Sequence, residues 1–154
     1  MIALIQRVNN ASVTVDNKLV SQIDRGFLIL LGIYQEDTEN QSEFLAEKTS
    51  KLRIFCDSDD KMNLSPKQLL DSGQKVQMLV VSQFTLCAQC KGQNRPSFIN
   101  AAKPEIANKL YMHYVGALRE KYGFDVKSGI FGADMKVALE NDGPVTIILD
   151  TDNL

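Results

Sequence analysis

Several residue types are scarce in this chain of 154 residues, and each scarcity excludes a class of protein. Tryptophan is absent, histidine occurs once and cysteine three times, an odd number that argues against a disulfide framework. The longest apolar run, residues 26–33, is far shorter than the roughly 20 residues with which a helix crosses a bilayer. Residues 1–8 lack the basic and long apolar regions of a secretion signal. We therefore expect a cytoplasmic protein that does not contact a membrane.

The composition is that of an ordinary soluble globular protein. Hydrophobic residues make up 44% of the chain and charged residues 23%, which fits neither a disordered nor a fibrous protein. A chain of this length fits one domain, so we predict a single unit over residues 1–154. The formal net charge of −2 argues against coating nucleic acid through bulk electrostatics, because such binding needs many phosphate contacts. Any contact with RNA must be local.

Strand patterns dominate the first third of the chain. Three segments alternate between apolar and polar residues and a fourth is continuously apolar, as expected of strands: 2–8, 11–15, 19–23 and 27–33. Asp37 then provides a predicted N-cap for a helix whose apolar residues keep helical spacing as far as Leu52. Arg53 to Phe55 follow as a short predicted strand.

The rest of the chain mixes helices and strands. The patterns predict a short helix, a buried strand and a long amphipathic helix over residues 66–70, 76–82 and 104–122. Two last strands, residues 135–140 and 145–150, flank Asn141-Asp142-Gly143-Pro144 and predict a hairpin. Because no regular βαβ repeat occurs, we predict an α+β fold. It is a compact single domain with a largely antiparallel, barrel-like sheet and helices packed on one side.

Chemistry that depends on histidine or cysteine has few candidates. His113 is the sole histidine and falls at the edge of the apolar face of the long helix, where a hydrogen-bonded structural role is favoured over a general base. Cys87 and Cys90 have the spacing of half a zinc site or of a redox dithiol, but few further ligands remain. Incidental thiols are favoured over a redox or metal module. No glycine-rich nucleotide motif precedes a helix, so we predict neither a metal nor a cofactor.

Two segments stand out as candidates for chemistry. Residues 82–86 place three hydrogen-bonding side chains at the end of a buried strand, where backbone amides can also face a developing oxyanion. An ordinary strand end with capped hydroxyls is the alternative. Gly143-Pro144 is unusual because proline cannot donate to a strand ladder. The bond is either cis, as in about 5–6% of X-Pro bonds, or the trans bond of a strand start.

The same two segments carry a resemblance to a known family. Ser82-Gln83-Phe84-Thr85-Leu86 matches the SQFTL motif of the D-aminoacyl-tRNA deacylases, and residues 141–146 match their NxGPVT motif. Four further segments are similar to the same family: 5–8, 61–64, 95–98 and 132–135. The resemblance runs from end to end and departs at no motif position, so the chain is identified as a member of this family.

The resemblance implies a homodimer with two active sites at the subunit interface, which hydrolyses the ester of D-aminoacyl-tRNA. Gly143-Pro144 is expected to be cis and to reach into the partner's site, where its backbone excludes the side chain of an L-amino acid. A D side chain points away and glycine has none, so Gly-tRNA is also expected as a substrate, including glycine mischarged on alanine tRNA. No metal is implied. Positioning, backbone groups and the terminal ribose 2′-hydroxyl of the tRNA act on an ester that its α-ammonium group already makes labile.

Catalytic roles are assigned by the same resemblance. The catalytic group comprises Ser82, Gln83, Phe84 and Thr85, with the backbone at Phe84 and Thr85 contacting the reacting carbonyl. A covalent role for the Thr85 hydroxyl would need a nearby base, and the sequence shows none. We therefore expect Thr85 to position the substrate.

Binding roles complete the assignment. The terminal adenosine is expected to meet a stacking surface and backbone hydrogen bonds from Phe131, Gly132, Ala133 and Met135. Arg7 is expected to support the Gly143-Pro144 segment of the facing subunit. Three cations can either meet phosphates or be solvated surface charge: Lys91, Arg95 and Lys103. A module that binds the tRNA end without catalysis is the competing hypothesis.

Overall fold

The computed structural model describes residues 1–154. The strands are β1 Ile2–Val15, β2 Lys18–Ile23, β3 Gly26–Gly32, β4 Phe55–Cys56, β5 Met62–Leu64, β6 Gln77–Ser82, β7 Asp125–Ser128 and β8 Lys136–Asp150. The α-helices are α1 Glu39–Lys51, α2 Pro66–Asp71 and α3 Pro104–Gly116, and shorter helical turns cover Phe84–Cys87, Ala117–Lys121 and Thr151–Asn153. None of the helices has the length and apolar character that crossing a membrane requires.

The main sheet is mixed, so the prediction of a largely antiparallel sheet is wrong. Its strand order is β2-β1-β3-β6-β7, and β8 pairs with β1. β1 is antiparallel to β2, β3 and β8, whereas β3–β6 and β6–β7 are parallel pairs. The parallel pairs arise because α1 and α2 lie between β3 and β6, and α3 lies between β6 and β7. Crossovers of this length return the chain in the same direction, whereas short turns reverse it.

The buried side chains of β1 lie on one face of the sheet in its first part and on the other face in its second part. Ala3 and Ile5 belong to the large core cluster, while Val8, Ala11 and Val13 belong to a second, smaller cluster. Register shifts in the ladder with β8 accompany this change of face, as β-bulges do. The two predicted strands of this region are therefore one bent strand.

The helices pack on one side of the sheet, as predicted. Residues of α1, α2 and α3 all belong to the large core cluster, and the smaller cluster contains strand residues alone. The smaller cluster is enclosed because the sheet curls until β2 approaches β6 and β7. The result is a single domain with a nearly barrel-shaped sheet, which fits the predicted α+β architecture.

The predicted hairpin at the end of the chain is wrong. Residues 136–140 and 145–150 both lie within β8 and pair with the same strand, β1, rather than with each other. Asn141 is aligned with Val8 and Thr146 with Gln6, so the four residues between them are accommodated as an outward bulge. Turn-forming residues indicated a reversal of the chain, but a partner strand long enough to pair on both sides of them keeps the strand continuous.

The start of α1 differs by one residue from the prediction. Thr38 is the N-cap, and its side chain and that of Gln41 form a reciprocal capping box. Asp37 instead accepts hydrogen bonds from the Met1 ammonium group at 2.6 Å and from the Tyr34 backbone amide at 2.6 Å. A carboxylate beside a buried cation has a stronger partner than a helix amide offers.

The helical region predicted over residues 104–122 extends to Lys121, but its last part is not α-helical, and a strand follows it. α3 gives way after Gly116 to a π-helical turn, and Gly123 then adopts the left-handed conformation, with φ +79°, that ends the helical region. β7 was not predicted because it has four residues, of which Val126 is buried between exposed Asp125 and Lys127. A single apolar residue is too short a pattern to indicate a strand.

Candidate active site

A cavity of about 700 Å³ joins two groups of residues that were predicted to function together. The end of β6 contributes Ser82, Gln83 and Phe84, and the segment before β8 contributes residues 131–135. The start of α3 closes a third side. Two motifs separated by about fifty positions in the sequence therefore face the same space, which is mostly apolar with a few polar groups, as binding sites are.

Directly after β6, at the edge of this space, the chain turns into a short helical segment. β6 is buried in the middle of the sheet, and the Gln83 amide still donates to Leu31 O at 2.8 Å before the chain turns into the helical turn Phe84–Cys87. The first amides of a helical turn have no carbonyl partner within that turn. Those of Phe84 and Thr85 are thus the candidates for stabilising an oxyanion, and this role stays a prediction.

The Thr85 hydroxyl is held by an amide rather than by a base. Thr85 is exposed, and its Oγ1 accepts a hydrogen bond from Nε2 of Gln83. An amide nitrogen does not take a proton from a hydroxyl, so this contact orients Thr85 without activating it as a nucleophile. Gln83 and Thr85 are therefore joined through their side chains, and Gln83 lines the cavity whereas Thr85 does not.

The opposite wall is built around Phe131 and Met135. Phe131 packs against Tyr111 of α3, with ring centroids 5.9 Å apart, and the Tyr111 hydroxyl donates to Val80 O at 2.8 Å. Burial raises the pKa of Tyr111 to about 12, so this hydroxyl stays protonated and able to donate well above neutral pH. Gly132 has a left-handed backbone, with φ +77°, that turns the segment along the cavity. Tyr111 therefore ties the two walls together.

Sequence reasoning missed several residues of this site. In the sequence, Tyr111 is one of the residues on the apolar face of the helix predicted over residues 104–122. That pattern does not reveal that its hydroxyl donates to a strand carbonyl. Phe98 also lines the cavity and packs edge-on against Phe84, with centroids 5.1 Å apart. The similarity of residues 95–98 to the family was the only feature of the sequence that pointed to Phe98. Lys103 lines the cavity, whereas Lys91 and Arg95 do not.

Gly143-Pro144 is a cis bond at the tip of the bulge in β8. Both residues are exposed, and neither lines the cavity of its own chain. The predicted cis geometry is confirmed. The cross-subunit role stays a prediction, and it requires a second copy whose cavity this tip can enter.

Arg7 anchors this bulge within its own chain. Its Nε lies 2.8 Å from the Asp142 carboxylate and donates to Asp142 O at 3.1 Å, and its Nη1 donates to Ile54 O at 2.6 Å. Arg7 is buried, with 8% of its surface exposed. The predicted support of the Gly143-Pro144 segment thus has an intrachain basis, and a contact of Arg7 with the facing subunit stays untested.

Known proteins that are similar to this chain identify its family. A family model described as D-Tyr-tRNA(Tyr) deacylase matches residues 4–150. The chain belongs to this family. Among curated relatives, the D-aminoacyl-tRNA deacylase of Flavobacterium psychrophilum is 52% identical over 153 residues, which cover 99% of both chains. That of Thermosipho melanesiensis is 50% identical over 151 residues, which cover 98% of this chain and 97% of the relative.

Two solved structures share the fold of this deacylase family member. One, titled c-Myc DNA Unwinding Element Binding Protein, superposes with a TM-score of 0.86 at 42% identity and covers 98% of this chain and 99% of its own. The other, a probable eukaryotic D-amino acid tRNA deacylase, has a TM-score of 0.79 at 18% identity and covers 96% and 97%. At that identity the second likeness bears on the fold alone.

The single histidine of this family member has a structural role, as favoured from the sequence. His113 Nδ1 lies 3.0 Å from the Ser42 hydroxyl, and its Nε2 lies 4.0 Å from Glu43. It therefore joins α3 to α1 and does not line the cavity. A general-base role for His113 in this cavity is wrong, because the side chain is committed to the helix interface.

The two neighbouring cysteines are in different environments. Cys87 is buried with its thiol directed at Ile33 O at 3.5 Å, whereas Cys90 is exposed. Burial raises the pKa of Cys87 to about 11. A redox dithiol instead needs a thiolate that is accessible and has a lowered pKa. The geometry therefore favours incidental thiols.

Thiol labelling checks this interpretation. At pH 8 a thiol with a pKa of about 11 is ionised in roughly one thousandth of the molecules, and burial slows it further. Iodoacetamide is expected to modify Cys90 in the folded protein at least about 100-fold faster than Cys87. Mass spectrometry of the peptides measures both rates, with the denatured protein as the control. Equal rates in the folded state would contradict the burial of Cys87.

Proposed function

We propose that this family member hydrolyses the ester between a D-amino acid and the 3′ end of tRNA. The observation that carries the proposal is the cavity that Ser82, Gln83 and Phe84 share with the wall of Phe131 and Met135, at the point where the amides of Phe84 and Thr85 begin a helical turn. Backbone amides can stabilise the oxygen of a reacting carbonyl, and a wall with an aromatic ring and a thioether offers a stacking surface for the terminal base. The full-length similarity to relatives named D-aminoacyl-tRNA deacylase supports the same assignment.

The proposed reaction transfers the aminoacyl group to water. The water oxygen bonds to the ester carbonyl carbon and gives up a proton, and the carbonyl oxygen takes up negative charge. The carbonyl then re-forms as the bond to the ribose 3′-oxygen breaks, and that oxygen takes up the proton. Backbone amides at Phe84 and Thr85 stabilise the charged oxygen, and one such donor contributes roughly 10²–10³-fold in rate. The ribose 2′-hydroxyl of the substrate assists the water, and Ser82 and the Gln83–Thr85 pair hold the ester in place.

The adenosine half of the proposed site lies on the opposite wall. The base of the terminal nucleotide stacks between Phe131 and Met135, and backbone groups of Gly132 and Ala133 are its hydrogen-bonding partners. A local contact of this kind agrees with a net charge of −2, because it needs few phosphate contacts. Lys103, at the cavity rim, is the cation placed to meet the terminal phosphate. No step in this scheme calls for a metal or a cofactor.

Chiral selection is proposed to come from a second copy of the chain. The tip Gly143-Pro144 is exposed outside its own cavity and is anchored at its base by Arg7. Placed in the partner's cavity, its backbone excludes an L side chain, while a D side chain or the hydrogen of glycine is accepted. Glycine esters are then substrates, including glycine mischarged on alanine tRNA.

The edge of the sheet supports the homodimer on which this selection depends. β8 pairs with β1 along one edge, and no strand of the same chain pairs with its other edge. Ile148 and Leu139 on β8 are exposed by 61% and 38%. A long unpaired edge with apolar side chains is a surface that another chain can cover. Since charged tRNA is the proposed substrate, we place the dimer in the cytoplasm.

Separate incubation with D-Tyr-tRNA, L-Tyr-tRNA and Gly-tRNA tests the proposed function. We expect release of tyrosine from the D ester and glycine from Gly-tRNA, with the L ester hydrolysed at least about 100-fold more slowly. Chelator-treated enzyme is expected to behave in the same way. Equal loss of both tyrosyl esters would refute chiral selection. Binding of the tRNA end without loss of the D ester would favour the non-catalytic binding module.

Thr85→Ala tests the proposed positioning role of the threonine. The variant removes the hydroxyl but keeps the backbone amide, so kcat for D-Tyr-tRNA is expected to fall by about tenfold or less. Single-turnover hydrolysis measures the effect, and Cys90→Ala serves as a control at an exposed position outside the cavity lining. A loss of more than about 10⁴-fold, with intact fold and substrate binding, would indicate a nucleophile.

A further inference from the structure

The bulge in β8 has an unusual size. One residue of β1, Arg7, lies between the pairs Gln6–Thr146 and Val8–Asn141, whereas four residues of β8, 142–145, lie between the same pairs. An ordinary β-bulge adds one extra residue, whereas this bulge adds three. A loop of this length does not hold its shape through the strand ladder, because the ladder is interrupted there.

Asn141 provides the hydrogen bonds that the interrupted ladder lacks. Its Nδ2 donates to Arg7 O at 3.0 Å and to Val145 O at 3.0 Å. The first bond satisfies a carbonyl of β1 that faces the bulge, and the second joins the two ends of the bulge to each other. One side chain thus closes the base of the loop, next to the point at which Arg7 holds Asp142.

The Asn141 side chain also fills the space beside Gly143. A Cβ atom on Gly143 would lie 2.1 Å from Asn141 Oδ1 and 3.1 Å from its Cγ. These distances are far inside van der Waals contact, so the amide of Asn141 lies directly against the Gly143 backbone. Any sideways movement of the tip in this direction meets a group that is itself fixed by two hydrogen bonds.

We propose that Asn141 is a specificity-determining positioning residue, whose side-chain amide fixes Gly143-Pro144 so that its backbone excludes L-aminoacyl esters. This inference rests on the proposed chiral function of that tip. Asn141 does not line the cavity of its own chain, where the amides proposed to act on the ester lie. Its effect therefore falls on discrimination between the two enantiomers, because a looser tip yields to an L side chain while the strand-end amides that act on both esters are unchanged.

The ratio of D-Tyr-tRNA to L-Tyr-tRNA hydrolysis rates tests this role. Asn141→Ala is expected to lower the ratio at least about tenfold, chiefly through faster hydrolysis of the L ester. Asn10→Ala is the matched control, since Asn10 also joins β1 to β8 through its side chain, at 3.4 Å from Glu140, but lies outside the bulge. We expect this control to keep the ratio within about twofold of the wild type.

The ratio is insensitive to partial unfolding, because both rates are measured on the same folded fraction. Asn141→Asp provides a second variant that keeps the side-chain size, removes both donors and directs a carboxylate at two carbonyl oxygens, and its ratio is expected to fall as well. An unchanged ratio in both variants, or a parallel loss of both activities, would overturn the role of Asn141. Wild-type enzyme that hydrolyses both esters equally would instead overturn the proposed function.

Discussion

Replacement of Arg7 by alanine is expected to lower the free energy of unfolding by about 3 kcal/mol. The substitution leaves Ile54 O without its donor at 2.6 Å and the Asp142 carboxylate without its cation at 2.8 Å. Removal of one member of a buried ion pair costs roughly 3–5 kcal/mol, and the lower end applies because the Asp142 side chain is 38% exposed. Urea unfolding followed by circular dichroism measures the change.

Two further arginine variants make this prediction specific. Arg53→Ala removes an exposed arginine that donates to Asn63 O at 2.7 Å, and it is expected to cost less than about 1 kcal/mol. Arg7→Lys keeps the charge but has one nitrogen for two separated acceptors, so its stability is expected to lie between those of Arg7→Ala and the wild type. Equal losses for Arg7→Ala and Arg53→Ala would contradict the anchoring role of Arg7.

Replacement of Gly26 by alanine is expected to have the largest effect on folding. A Cβ atom at this position would lie 1.8 Å from Gln77 O, 2.7 Å from its carbonyl carbon and 2.9 Å from its nitrogen. All three atoms belong to the backbone of β6, which is held between β3 and β7 in the sheet. The clash requires the two strands to separate, so we expect a loss of at least about 3 kcal/mol and poor recovery of folded protein.

Gly116→Ala is the matched control for this substitution. Gly116 has helical angles, with φ −60°, and a Cβ atom there would meet nothing within 4 Å. Alanine is preferred to glycine in a helix, so this variant is expected to gain about 0.5–1 kcal/mol. Thermal unfolding of both variants measures the contrast. If Gly26→Ala were as stable as Gly116→Ala, the close approach of β3 to β6 would be refuted.

Much of the candidate site was predictable because its residues lie in short continuous motifs. The strand end at Ser82 to Thr85 was indicated by a buried run that stops at polar residues, and Gly143-Pro144 by a proline that a strand ladder does not accommodate. The wall of residues 131–135 was assigned through the family resemblance, and the structure brings it to the same cavity as the strand end.

Other parts of the site depend on contacts that no local pattern contains. Tyr111 reaches Val80 O across 31 positions, and Asn141 reaches Arg7 O across 134. In the sequence, the first is one more apolar-face residue of a helix and the second is one of four turn-forming residues. Their roles become visible after the chain has folded, because each depends on which carbonyl a distant strand presents.

The sequence by itself determined where the helices and most strands lie, which face of each is buried, that they form one domain, and to which family the chain belongs. These properties follow from spacings of two to four residues and from short motifs. The tertiary structure decided that β3, β6 and β7 run parallel, that residues 136–150 form one strand, and that Arg7 and Asn141 hold the base of the bulge that carries Gly143-Pro144. Strand direction and register are set by pairing between distant segments, and this pairing turned a predicted hairpin into an anchored bulge.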